Sequence, residues 1–108
     1  MLLGKVVGTV VSTRKVESLV GLKLLAVKQL EVSGAEKDAY VVAVDTVDAA
    51  LGEVVLYATG SAARQTDRTQ NRPADAVIMA IVDTWELGGR VVYQKERVGR
   101  PEEYNPPE

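Results

Sequence analysis

In the stretch YATGSAARQT, Tyr57 to Thr66, a serine and an arginine stand three residues apart directly after a glycine and a run of strand formers. Ser61 could act as a nucleophile and Arg64 could hold an anion. A nucleophilic serine needs a base to take its proton. The chain has no histidine, so only a lysine or a carboxylate could serve, and G-S-A-A-R lacks the second glycine of a G-x-S-x-G elbow. Backbone N–H groups at a helix start attract anions, yet no phosphate-cradling glycine run accompanies Gly60. On the residues alone, weak anion binding and a structural role both stay open.

The other candidates for chemistry are the carboxylates near strand ends: Asp45, Asp48, Glu53, Asp75 and Asp83. Their spacing matches no D-x-D-x-D-G metal loop, and each stands where Asp or Glu commonly bonds the backbone of a turn. With neither cysteine nor histidine, thiolate and imidazole metal sites and disulfides are impossible. No catalytic residue, cofactor site or metal site is expected.

The elements that position these residues read as strands. Leu3 to Ser12, Lys23 to Val32, Tyr40 to Thr46, Val54 to Thr59, Val77 to Glu86 and Arg90 to Lys95 are rich in Val, Leu, Ile and Thr, and turn formers separate them. Gly88 and Gly89 predict a tight C-terminal hairpin, because such turns need positive φ. In the first strand Gly4, Val6, Gly8 and Val10 are expected on one face, the two glycines letting the strand bend or another backbone approach. A small, closed or nearly closed all-β barrel follows. Ser61 is expected to cap a short helix through Ala62, Ala63, Arg64 and Gln65, followed by an exposed polar loop, TDRTQNRP, from which Pro73 and Asp75 lead back into the barrel.

AVIMAIV, Ala76 to Val82, is apolar at every position, and YVVAV and EVVLYA nearly so. A half-exposed antiparallel strand should alternate. A second apolar surface outside the barrel is therefore expected, most simply covered by a neighbouring subunit.

The 108 residues make one domain. Thirteen basic and fifteen acidic residues are scattered along it, which argues against nucleic acid or an anionic membrane as partner. Five aromatics, four Tyr and one Trp, offer few platforms for stacked bases. Gly4, Lys5, Gly8 and Thr9 interrupt the apolar start, so it reads as a first strand instead of a signal segment, and no run approaches the roughly 20 apolar residues of a membrane span. A soluble, intracellular protein is expected. Residues 96–108, with three prolines and four glutamates, are expected to be a flexible tail after a barrel domain of residues 1–95.

Three segments carry a resemblance: GKVVGTVVSTRKVESLVGLKLLAV at Gly4 to Val27, VAVDTVDAALGEVVLYATGSAAR at Val42 to Arg64, and PADAVIMAIVD at Pro73 to Asp83. Together, in order and over nearly all of the chain up to Lys95, they resemble the EutN/CcmL family of bacterial microcompartment vertex proteins. The resemblance implies a five-stranded OB-like β-barrel with a short helix, assembling as a homo-pentamer shaped like a truncated pyramid. Such pentamers close the five-fold vertices of a polyhedral shell, in a carboxysome or a metabolosome within the cytoplasm. Hexameric shell proteins form the facets, and the vertex protein performs no reaction.

The loop GSAAR matches the family's G-S-S-A-R pattern. This implies that Gly60, Ser61, Ala62 and Ala63 approach the five-fold axis and form a narrow pore, with Arg64 fixing a neighbour through hydrogen bonds. Ile81, Val82 and Asp83 are expected with Arg64 at the subunit interface, strand alternation sending one of Ile81 and Val82 into the barrel and the other to the neighbour, without saying which. The sequence departs from the pattern twice. Ala62 replaces a second serine, and DTVDAALGE replaces D-x-V-G-A-G-x-G-E, so that Asp48 and Ala50 stand where glycines often do. The competing reading is a monomeric OB-like module that binds single-stranded nucleic acid or another oligomeric ligand on its sheet.

Overall fold

The computed structural model describes residues 1–70 and 75–95. Pro73 and the tail of residues 96–108, with the expectations attached to them, lie outside the described residues. Strands β1 (Leu2–Val10), β2 (Leu24–Leu30), β3 (Glu36–Asp45), β4 (Val54–Thr59) and β5 (Ala76–Ile81) close into a barrel in the order β1-β2-β3-β5-β4. Neighbours pair antiparallel except β3 and β5, which run parallel. This five-stranded closure is the OB-like topology. Strands β6 (Thr84–Leu87) and β7 (Arg90–Gln94) form a separate two-stranded sheet, turned at Gly88 and Gly89, which have φ of 62° and 82°. The expected single strand from Val77 to Glu86 thus breaks after Ile81, and its second part belongs to the hairpin. β3 begins earlier than its apolar residues indicate.

Val6, Leu25, Val27, Ala43, Val55, Tyr57 and Ile78 fill the barrel, with Ile81 packed against them. Tyr57 is the largest wholly buried side chain, and among the described residues its hydroxyl is the buried polar atom without a hydrogen-bond partner. Burial raises its pKa, because the phenolate would have to form away from water. Tyr57→Phe is therefore expected to leave the fold intact and raise stability by about 1 kcal/mol, since an unsatisfied buried donor carries a desolvation cost. Urea unfolding of the two proteins checks this.

Gly4 faces the interior, where a Cβ would run into a methyl of Val27 and lie 3.0 Å from the Tyr57 ring. The close approach expected of this glycine is present. Gly4→Ala is predicted to cost about 1–3 kcal/mol through overpacking, read as a lower urea midpoint. Gly8 differs from the expectation. The register shifts between Val6, opposite Val27, and Gly8, opposite Ala26. Because one extra residue reverses the alternation, Gly8 and Ala26 face outward while Val6 and Val27 face inward.

The outside of the barrel is also apolar, as the unbroken strands require. The register aligns Leu30, Leu3, Leu56 and Ala80 in one outward row, and Gly8, Ala26 and Val42 in another. Part of this surface is covered from within the chain. Val77 is 0% exposed, packed outside the barrel with Val44 and Ala63, flanked by Leu24 and Met79. Elsewhere it is open: Val42 is 52% exposed and Val7 39%.

Candidate functional site

The loop GSAAR forms a 3₁₀ helix, Gly60–Arg64, between β4 and β5. Gly60 opens it at φ 62°, a left-handed conformation that glycine adopts without strain, and its N–H donates to the Asp75 carbonyl at 3.1 Å. Thr59 occupies the N-cap position and no side chain caps the helix. The expected cap by Ser61 is therefore replaced by a backbone bond, with Ser61 inside the helix.

The four small residues divide. Gly60, Ser61 and Ala62 are exposed, whereas Ala63 is 0% exposed. Its methyl closes the outer cluster over Val77, so it lines no surface. Beneath it sits a feature that sequence reasoning missed. Thr69, in the stretch read as an exposed polar loop, is fully buried. Its hydroxyl donates to the Ala63 carbonyl at 2.8 Å and lies 2.6 Å from the Thr66 hydroxyl, while the Thr69 N–H donates to Thr66 Oγ1 at 3.1 Å. The Thr-x-x-Thr spacing was the available signal, because hydroxyls bond local backbone at that separation. It ties the loop back to the helix.

Ser61 and Arg64 border a shallow polar depression with Gln65, Thr66, Asp67 and Gln70. Among the described residues no hydrogen bond joins the Ser61 hydroxyl to a lysine or carboxylate side chain. No group of three or more His, Cys, Asp or Glu among the described residues could hold a metal ion. No helix among them is long and apolar enough to cross a membrane.

The residues expected at an interface also separate. Ile81 packs against the inner core. Val82 follows it, half-buried, and strand alternation turns its side chain outward while its N–H donates to the Val54 carbonyl at 2.8 Å. Asp83 is exposed, and its carbonyl accepts the Lys95 N–H at 2.7 Å, tying the end of the hairpin to its start.

The strand-end carboxylates serve the turn Asp45 to Glu53. Asp45, 2% exposed, accepts the Val47 N–H at 3.1 Å and the Ala49 N–H at 3.0 Å, and pairs with Lys23 at 3.3 Å. Glu53 accepts the Ala50 N–H at 2.6 Å. Asp48, where the family pattern has glycine, has φ 63°. Asp tolerates this left-handed conformation better than most residues, and its carboxylate meets Lys23 at 3.1 Å. The hydrogen bonds that Lys23 donates to Asp48 and then to Asp45 raise its pKa. On the outer face of β1, β2 and β3, Lys5, Lys28 and Tyr40 form one cross-strand row. Glu36 pairs with Lys28 at 3.1 Å and Lys5 at 3.5 Å, and its pKa is lowered by the Lys28 hydrogen bond first. These charged pairs let β3 start at a polar residue.

The family model described as ethanolamine utilisation protein EutN/carboxysome matches residues 1–83. The chain is 46% identical over 100 residues to the carboxysome shell vertex protein CcmL of Synechocystis sp., covering 93% of this chain and 100% of that protein. The structure of CcmL from Gloeobacter violaceus superposes with a TM-score of 0.85 at 44% identity, over 88% of this chain and 98% of that one. GrpN from Rhodospirillum rubrum, a pentameric microcompartment shell protein, superposes with a TM-score of 0.73 at 48% identity, over 81% and 100%.

Proposed function

The chain belongs to the EutN/CcmL family, and from that premise we propose how its surfaces serve a shell vertex. It is a structural protein of a bacterial microcompartment shell, assembled as a homo-pentamer that caps a five-fold vertex. The observation that carries this reading is the barrel with two apolar faces, matched along its length to pentameric and vertex shell proteins. A barrel of this size has one interior, so an outer apolar face needs a partner. In a ring of identical subunits each copy offers two different complementary patches.

In this reading residues 1–95 are the vertex domain. Gly60, Ser61 and Ala62, exposed and small, face the five-fold axis, where five converging backbones leave room for little else. Ala63 supports them from below. Arg64, at the exposed end of the same helix, and Val82, outward just past the end of β5, face the neighbouring subunit, with Asp83 at the edge of that contact. Edges of hexameric shell proteins receive the assembled pentamer. The protein catalyses no reaction and takes no cofactor, consistent with the absence of His and Cys from the chain. Nucleic acid is not a partner in this reading: Glu36 pairs with the lysines of the sheet face that an OB-like binder would use, leaving little unpaired charge for phosphates.

The experiment is co-assembly. Mixing the purified protein with a hexameric shell protein that by itself forms sheets or open edges is expected to produce closed polyhedral particles by electron microscopy, with the protein at the vertices. Particles that close equally well without it would count against the vertex role.

A further inference from the structure

We propose that the groove between the C-terminal hairpin and the barrel is a docking site for the chain's own proline-rich segment, Pro101 to Pro107. The groove is open, about 1000 Å³, and is bordered by Lys5, Leu30, Val54, Trp85, Tyr93 and Lys95 among others. The hairpin is fixed over it at several points. The Trp85 indole N–H donates to the Val32 carbonyl at 2.9 Å, the Trp85 and Tyr93 rings stack with centroids 5.3 Å apart, and Lys95 pairs with Glu53 at 2.7 Å. The groove is thus a built feature with aromatic planes held in place. Its hairpin side, Trp85 to Lys95, lies beyond the match to the family model, which ends at residue 83, whereas its barrel side, Lys5 to Val54, lies within it.

The chemistry selects the occupant. The groove's charges are largely spent: Lys95 on Glu53, and Lys5 on Glu36 at 3.5 Å. Beside these paired charges Leu30, Val54, Trp85, Val92 and Tyr93 offer apolar and aromatic surface to a stiff segment. Proline-rich segments in the polyproline II form dock on Trp and Tyr planes because they lose little conformational entropy in doing so. The chain supplies such a segment in PEEYNPP, where Pro101, Tyr104, Pro106 and Pro107 can meet the groove while the carboxylates of Glu102 and Glu103 stay in water. It leaves from Lys95, which itself borders the groove. Gly99 permits a turn, and at about 3.3 Å per residue the links to Pro106 can span about 35 Å, enough to return along the groove. Tethering places the segment at an effective concentration of order millimolar, so a weak contact suffices.

The chain provides its own probes, since Trp85 is the single tryptophan and there is no cysteine. Acrylamide quenching of Trp85 is compared in the full-length protein and in a full-length variant carrying Pro106→Gly and Pro107→Gly, changes that touch no described part of the barrel. Quenching is expected to rise by roughly twofold in the variant, as a tethered contact that is mostly occupied is released. Equal quenching would overturn the proposal, including the case in which a neighbouring barrel covers the groove.

A second measurement places an energy-transfer acceptor on Asn105→Cys. Transfer from Trp85 is expected in the parent and expected to fall in the diglycine variant. It should persist when the labelled chain is refolded with excess unlabelled Trp85→Phe chain. No transfer, or transfer lost on that dilution because the segment docks on a neighbour, would overturn docking in the same chain.

Discussion

A protein carrying Val82→Asp is expected to run as a folded monomer, whereas one carrying Ile81→Asp is expected to lose the barrel. The two residues are adjacent, and the structure assigns them opposite faces. Ile81 pairs with Val55 and packs against the inner core. An unpaired carboxylate there would cost about 3–5 kcal/mol, a large fraction of the roughly 5–15 kcal/mol that holds a domain together. Val82 points outward and is half-buried in the single chain. A carboxylate there stays hydrated in the monomer and loses its water only when a neighbour covers it, so the cost falls on assembly. A permanent interface should bury at least roughly 1,000 Å², and one central charge repeated in all five contacts is enough to undo it. Circular dichroism and a sizing column separate the outcomes. A pentameric Val82→Asp protein would remove Val82 from the interface, and a stable Ile81→Asp barrel would contradict the assignment of faces.

Asp45→Ala is expected to destabilise the protein by about 3 kcal/mol, the scale of losing hydrogen bonds to a buried charged acceptor. Asp45 receives the N–H groups of Val47 and Ala49 at the start of the turn that returns the chain from β3 to β4. Removing the carboxylate leaves the buried Ala49 N–H and the part-buried Val47 N–H without that acceptor. The Lys23 ion pair adds less, because the lysine side chain is 49% exposed and its field is screened. Asp45→Asn keeps one acceptor oxygen, so its cost should be clearly smaller. Urea midpoints of the three proteins test this. Equal stability of all three would show that the turn holds without the carboxylate.

Much of the barrel was legible in the sequence because its strands are short, β-branched and punctuated by turn residues, and because Gly88 and Gly89 mark their hairpin plainly. What the sequence hid has identifiable causes. The bulge between Val6 and Gly8 reverses the facing of β1, and nothing local in GKVVGTV announces it, since the register is set across the strands by Ala26 and Val27. The charged start of β3 is strand through its ion pairs with β1 and β2 instead of its own propensity. The break after Ile81 was masked because apolar residues run on through Val82.

At the GSAAR loop, composition showed that small residues were needed, but not that they divide between exposure and support. Ala63 is buried because Val77 lies beneath it, and Thr69 because its hydroxyl reaches back to the Ala63 carbonyl. The first contact depends on how β5 returns to the barrel, and the second on how the loop folds back on the helix. The continuous apolar strands correctly indicated a second apolar surface. Part of that surface is met by the chain's own 3₁₀ helix before any neighbour is needed, and Val7 and Val42 remain for a partner.

Five copies are expected to close into a ring. Light scattering behind a sizing column, at low micromolar concentration and moderate salt, gives the absolute mass directly. Five times the 11.6 kDa of the chain is the expected result; a clean single-chain mass would contradict the ring.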